Sequence, residues 1–379
     1  MRQRSFYASV GYSMLLALAM GLGCATTGRC APARDQTERV LVGEFHRTYR
    51  LHLPSTYDDA TPLPLVLVFH GRFQNARDIE EISHFNAVAD REGFIVAYPE
   101  GIHGLWNDGR RAPDRLKLMP MLYDDVGFTA ALIAHLQATR AIDPARIYAA
   151  GMSNGAMLVQ RLGCERPDIL AAIGPVSGTL PVNVARACTA TQPVPVIEFH
   201  GTDDAYIRWR GGTVRLLGGR TLSVPDTIAY WQHSNGCTGA ATVTELPHQY
   251  PSDATRVRRE AWDACRNGGA VAFYAIEGGG HMWPGGPDDD TPFTGDKSYD
   301  VSAAEVLWAF FAQHPKVTSA DRAHLAPSTA MVVPPTQTIV PPPVVPIAPP
   351  SATPLPLTVF HFFIKAGFLK PLAPLLASP

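Results

Sequence analysis

The sequence predicts an α/β fold, with a mostly parallel central sheet covered by helices on both faces. Three observations predict it. Short continuous apolar runs recur along the chain, as strands buried on both faces require. Stretches of helical character separate several of those runs, the alternation that gives parallel sheets. One junction between such a run and a helix carries the pentapeptide Gly151-Met152-Ser153-Asn154-Gly155.

The elements follow in order from about Thr37. Val40 to Leu53 (VLVGEFHRTYRLHL) has strand character, and Pro64 to Phe69 (PLVLVF) reads as a buried parallel strand. Ile79 to Glu92 predicts a helix and Phe94 to Tyr98 (FIVAY) a second buried strand. Asp125 to Ala138 predicts a helix, Ile147 to Ala150 the strand before Ser153, and Ala156 to Leu162 the helix after it. Val194 to Phe199 and Val271 to Ile276 are two more strands. A helix over Ala303 to Gln313 closes the domain, with Ser302 and Glu305 at capping-box spacing and Trp308, Phe310 and Phe311 as apolar residues. No internal repeat interrupts this succession.

The chain has 379 residues, 46% of them apolar, enough for one large α/β domain plus extensions. A formal net charge of −2 and the lack of a basic run give no reason to expect a nucleic-acid partner. Residues 1–25 read as an export signal: Arg2 and Arg4 precede the apolar stretch Ser13 to Leu22, and Gly23 and Ala25 suit cleavage after Ala25. The alternative is a lipoprotein signal, with membrane attachment through a lipidated Cys24; Gly23 fits it and Gly21 fits it poorly. The expected location is therefore secreted, with lipid anchoring to the cell envelope as the alternative. The catalytic domain is expected over 37–316. Fourteen of the 34 prolines fall in 317–379, a composition that suits a disordered or polyproline-like tail. Within it Leu357 to Leu369 is apolar but short, and reads as a sticky peptide.

Export favours disulfides. Besides Cys24 and Cys30, the cysteines are Cys164, Cys188, Cys237 and Cys265, whose spacing suggests the local pairs 164–188 and 237–265 without fixing the connectivity. There is no C-x-x-C, and the histidines show no H-E-x-x-H spacing, so neither a metal nor another cofactor is expected.

The pentapeptide has the form G-x-S-x-G. Between a strand and a helix this is the nucleophile elbow of the α/β-hydrolase fold, a strained turn that exposes the serine hydroxyl. A serine needs a base to take its proton and an acid to hold that base in one tautomer. In this fold they follow as Asp or Glu, then His. Asp204 lies beyond the strand Val194 to Phe199, and His281 beyond the strand Val271 to Ile276, after three glycines that suggest a tight turn. The spacing alone does not separate Asp204 from Asp203, which competes for the role. Oxyanion donors are expected from the N–H of Asn154, next to the serine, and from the loop His70-Gly71-Arg72-Phe73-Gln74. There Arg72 is the first choice and Phe73 the second. His70 reads as structural.

Several motifs resemble the secreted esterases grouped as poly(3-hydroxybutyrate) depolymerase-like and feruloyl esterase-like proteins, of the carbohydrate esterase family 1 type. They are FHG at 69–71 with Gln74, YPEG at 98–101 with Trp106-Asn107, and DDVGF at 124–128. IDPARIYAAGMSNGAM at 142–157, Cys164-Glu165-Arg166-Pro167 and HGTDD at 200–204 follow. WQHSNGC at 231–237 and GGGHMWPGG at 278–286 complete the set, over about residues 40–315. The resemblance implies a triad of Ser153, Asp204 and His281, places the acid at Asp204 rather than Asp203, and supports the two cysteine pairs. Two departures stand out. Arg72-Phe73 replaces the small or cysteine-containing pairs common there, and the proline-rich tail has no counterpart.

The expected function is a secreted serine esterase acting on feruloyl or acetyl esters of plant polysaccharide, with Trp106 and Trp283 as loop residues that stack on substrate or simply pack. The alternative substrate is the polyester poly(3-hydroxybutyrate). The absence of an obvious separate substrate-binding domain weakens the case for crystalline polymer. A reading of another class is a non-catalytic binding protein on a hydrolase scaffold.

Overall fold

The computed structural model describes residues 35–110, 123–188, 192–215, 218–287 and 294–316. The expected signal with Cys24 and the proline-rich tail lie outside the described residues. Along the chain run β1 (Asp35–Val42), β2 (Phe45–His52), β3 (Leu63–Phe69), α1 (Ala76–Ser83), α2 (Phe85–Glu92) and β4 (Ile95–Pro99). Next come α3 (Asp125–Thr139), β5 (Ile142–Met152), α4 (Asn154–Glu165), β6 (Ala172–Val176), α5 (Val182–Ala187) and β7 (Val196–Gly201). A short ribbon, β8 (Gly212–Thr213) with β9 (Arg220–Thr221), precedes α6 (Val224–Asn235), β10 (Thr242–Glu245), β11 (Arg256–Trp262), β12 (Val271–Glu277) and α7 (Ala303–Gln313).

Ten strands form one sheet in the order β1-β2-β4-β3-β5-β6-β7-β12-β11-β10. The stretch from β4 to β12 is parallel throughout. The flanks β1-β2 and β11-β10 are antiparallel. The sheet is thus mixed, in keeping with an α/β-hydrolase fold, and its difference from the expected mostly parallel sheet lies at the edges. The outer strands are part exposed, so their alternation is polar and diluted, whereas the inner strands read as unbroken apolar runs.

Successive residues of one strand feed two cores. Leu65, Leu67 and Phe69 of β3 pack with α3, α4 and α6 through Phe128, Leu132, Leu158, Leu162, Ile228 and Trp231. Val66 and Val68 pack on the other face with Ile79, Phe85, Val88, Leu307 and Phe311 of α1, α2 and α7. This is the period of two applied to a strand with no solvent face.

Three local expectations change. The strand stretch 40–53 is a hairpin, folded back at a two-residue turn after Val42. The helix 79–92 is two helices, because His84 takes a left-handed conformation (φ 57°) between them. Asn75 caps the first with a reciprocal box, its side chain accepting from the Asp78 N–H while Asp78 accepts from the Asn75 N–H. At α7 only half of the expected box forms. Ser302 Oγ accepts the Glu305 N–H at 3.5 Å, while the Glu305 carboxylate pairs with Arg91 of α2. The two expected disulfides, Cys164–Cys188 and Cys237–Cys265, are present. By chain entropy a loop of this length contributes about 3 kcal/mol.

Candidate active site

The parallel strands end on one side of the sheet, and every residue singled out for chemistry lies there, just beyond β3, β4, β5, β7 or β12. Open α/β sheets build their sites at such carboxyl ends.

Ser153 joins β5 to α4 with φ 57° and ψ −115°, a conformation costly for a residue bearing a Cβ. Its surroundings hold it there: its N–H donates to Val176 O at 2.9 Å and its carbonyl accepts the Met157 N–H at 3.0 Å. A serine at a helix N-cap ordinarily spends its hydroxyl on the first turn. Ser153 makes no such capping bond, which leaves Oγ uncommitted to the helix. Gly155 permits the geometry, since a Cβ there would lie 2.4 Å from Phe69 O and 2.5 Å from His70 O. The start of α4 thereby rests directly on the end of β3.

Asp204 and His281, 77 residues apart, meet at 2.7 Å between Oδ2 and Nδ1. Asp204 is 3% exposed and His281 8%. The other oxygen of Asp204 accepts the N–H groups of Tyr206 and Ile207, both at 2.8 Å. Burial works to raise the Asp204 carboxyl, but the facing His281, with help from His200 and the Ile207 N–H, outweighs it and holds the group below its ordinary value. Asp203 is exposed and, among the described residues, its side chain accepts from Thr202 Oγ1 at 3.1 Å, so the two aspartates differ in burial and partners. Gly278 (φ 74°) begins the expected tight turn before His281.

Two residues that sequence reasoning missed hold the loops of Ser153, Asp204 and His281 in place. Ser177 follows Val176, the residue that accepts the Ser153 N–H, and its Oγ donates to Met282 O at 3.0 Å. The end of β6 therefore grips both the serine turn and the histidine loop. His200 Nε2 donates to Ile207 O at 2.7 Å and lies 3.5 Å from Asp204 Oδ2, so it braces the acid's turn. Burial depresses His200 and keeps it neutral. Its sequence signal was the HGTDD run; Ser177 had none.

His70 is structural, as expected. It is fully buried, and desolvation pushes it down to about 4, hence neutral. Nδ1 donates to Gly71 O at 2.7 Å while Nε2 accepts the Gly101 N–H at 2.9 Å. In a trans peptide the carbonyl and the next N–H point opposite ways. Holding Gly71 O therefore turns the Arg72 N–H away from His70, and no acceptor among the described residues takes it. The Phe73 N–H, the second choice as oxyanion donor, is instead spent on Gly104 O at 2.7 Å. Asn154 lends its side chain to the neighbouring loop: Oδ1 accepts the Trp106 N–H at 2.8 Å and Nδ2 donates to Asp108 Oδ2 at 2.5 Å.

The two tryptophans do not present stacking faces. Trp106 and Trp283 are each 3% exposed. Trp106 donates from Nε1 to His70 O at 2.9 Å and packs edge-on against Phe69, and Trp283 packs against Phe85. Each indole anchors its loop to one of the two main cores, Trp106 on the β3–α3–α4 side and Trp283 on the α1–α2–α7 side.

Comparisons with known proteins bear on the family and the fold. The profile of the family described as esterase PHB depolymerase matches residues 47–198. NocK of Nocardia uniformis subsp. tsuyamanensis, which is named as an esterase, is 32% identical over 267 residues, covering 68% of this chain and 76% of that protein. Feruloyl esterase B of Piromyces equi is 29% identical over 237 residues, or 60% of this chain, and the chain spans only 41% of that larger protein. Among solved structures, an acetyl xylan esterase from Aspergillus awamori shares the fold at a TM-score of 0.50 and 14% identity, over 73% of this chain and 99% of that one. The chain belongs to this PHB-depolymerase-type family of carboxylic ester hydrolases.

Proposed function

We propose that the chain is a serine esterase working through an acyl-enzyme, with Ser153 as nucleophile, His281 as base and Asp204 as the acid that orients it. The observation that carries this reading is the buried 2.7 Å bond between Asp204 and His281, on a loop that the end of β6 ties to the turn of Ser153, whose hydroxyl the helix does not use. With Nδ1–H given to Asp204, the His281 lone pair sits on Nε2, the nitrogen that takes the Ser153 proton as Oγ attacks the ester carbonyl. The N–H groups of Asn154 and Arg72 stabilise the oxyanion. His281 then returns the proton to the leaving alcohol, and water releases the acid by the same steps.

The substrate we infer is a feruloyl or acetyl ester of plant polysaccharide, supported by the names of the relatives. Poly(3-hydroxybutyrate) is the alternative, supported by the description of the matching family profile. Export, or lipid anchoring through Cys24, accords with two disulfides, which persist in oxidising compartments. The test is hydrolysis of methyl ferulate beside a poly(3-hydroxybutyrate) suspension, with Ser153→Ala as control. Ferulate release alone selects the first substrate and polymer clearing alone the second. Ester hydrolysis that survives Ser153→Ala overturns the mechanism, and the absence of serine-dependent hydrolysis of any ester supports a binding protein instead.

A further inference from the structure

Two arginines on the loops that flank Ser153 and Asn154 carry guanidinium groups without a task in the mechanism. Arg110 is 9% exposed. Its Nε and Nη2 lie 2.8 and 2.7 Å from Asp108 Oδ2, the same oxygen that takes the Asn154 amide. Nη1 of Arg110 is buried with no hydrogen-bond partner among the described residues. Arg72 follows Gly71, where an added Cβ would lie 3.6 Å from the Ser153 Cβ. Its guanidinium carbon sits 4.4 Å from the centre of the Phe73 ring. Its Nε is likewise buried without a partner, and no carboxylate among the described residues pairs with it.

Burial, and the repulsion of Arg110 next, push Arg72 down to about 10, still cationic at neutral pH. Tyr206 also acts on Arg72, and the Tyr206 ring lies 5.2 Å from the ring of His281. Among the described residues the charge balance is therefore uneven: two guanidiniums and one paired carboxylate, Asp108, already shared with Asn154. Surplus buried charge is costly unless an opposite charge completes it. The planar fork of an arginine completes itself best with a carboxylate.

We propose that the Arg72 and Arg110 guanidiniums form an anion-recognising subsite next to Ser153, and that the preferred ester carries a carboxylate. The inference rests on the serine-esterase reading of the same site and deepens it. The carboxylate can belong to the acyl chain, as in the half-ester of a dicarboxylic acid, or to the alcohol.

Matched pairs separate the two sources. p-Nitrophenyl hemisuccinate is compared with p-nitrophenyl butyrate, and 4-acetoxybenzoate with phenyl acetate, after subtraction of spontaneous hydrolysis. One charged member is expected to exceed its neutral partner in kcat/KM by about tenfold or more, the worth of one charge-assisted bond. Arg72→Met should abolish most of that ratio, whatever it does to the absolute rates, and Arg72→Lys should restore part of it. Arg110→Met should lower the ratio too, with its thermal unfolding checked because Asp108 loses its partner. The pair that shows the preference tells which side of the ester carries the charge. Equal or better hydrolysis of the neutral member in both pairs overturns the proposal, as does a ratio untouched by Arg72→Met.

Calorimetry reads the subsite without turnover. Succinate or benzoate should bind the Ser153→Ala protein, and the affinity should drop about tenfold or more when Arg72→Met is added. Binding without hydrolysis of any ester would sink the esterase reading and leave the subsite standing. Serine-dependent ester hydrolysis with no charge preference and no carboxylate binding sinks the subsite and leaves the esterase reading standing.

Discussion

The serine half of the site and the acid–base half are built by different means. The serine half is local: five consecutive residues, 151–155, make the turn, and its strain is held by bonds to β6 and by the absence of a Cβ at Gly155. The proposed acid–base half is assembled from two loops whose key residues lie 77 positions apart; they meet through the bond between Asp204 and His281 and through the Asp203 N–H to Gly279 O and the Gly278 N–H to Thr202 Oγ1, with both side chains largely buried. A local device fails through sterics, and an assembled one through lost orientation. The two halves should therefore break differently.

The largest effect is expected at Gly155→Ala. The new methyl would meet the carbonyls of Phe69 and His70, both backbone atoms that cannot swing aside. A loss of about 3 kcal/mol in stability should accompany loss of turnover, measured by urea unfolding and p-nitrophenyl butyrate hydrolysis. A stable, active variant would mean that the turn is not strained by packing.

Asp204→Asn should leave the fold intact and lower kcat by about 10³–10⁴-fold, because the amide no longer selects the right tautomer of His281. Unchanged circular dichroism with near-normal kcat would remove Asp204 from the mechanism. His70→Ala probes the support of the serine half. It frees the Gly71 carbonyl and the Gly101 N–H, so kcat should fall about 10–100-fold with little change in KM, a part of what outright loss of an oxyanion donor costs. A change confined to KM would contradict a role through the Arg72 N–H.

The smallest effect on turnover is expected at Glu198, sealed under the acid–base half and hydrogen-bonded to Gln160 at 3.1 Å. Burial raises its carboxyl from 4.5 to about 8. The unfolded chain loses this proton first, so the folded state is destabilised progressively as pH rises from 4.5 to about 8, and the loss then levels off. Glu198→Gln has no proton to lose. Unfolding free energies at pH 5, 6.5 and 8 should show the wild type losing a few kcal/mol, on the order of that shift, relative to the variant. Parallel curves for the two proteins would mean that Glu198 is ionised throughout.

Much of the inner sheet was legible because its strands are apolar on both faces, and α7 matches the expected bounds from Ala303 to Gln313. β6 escaped notice because Gly174 and Pro175 read as breakers, although both are buried in the sheet. β10, the edge strand, and β11 beside it carry no apolar run: β10 is exposed throughout and β11 holds Arg256, Arg258 and Arg259. Trp106 and Trp283 were read as loop aromatics, and their burial could not be known before the loops were seen folded against β3 and α2. The surplus of positive charge at Arg72 and Arg110 had no sequence signal beyond an unusual pair after His70-Gly71.

The strand-turn-helix that carries Ser153, the order of the motifs holding Ser153, Asp204 and His281, and the family are legible in the sequence alone. These are short-range patterns, set by apolar period, glycine placement and motif order. The tertiary structure adds what spacing does not hold: the burial and His281 bond that set Asp204 apart from the exposed Asp203, the N–H that Phe73 spends and Arg72 does not, and the burial of the tryptophans. Each of those differences turns on which group loses water and which atom faces it, and both depend on residues far away along the chain.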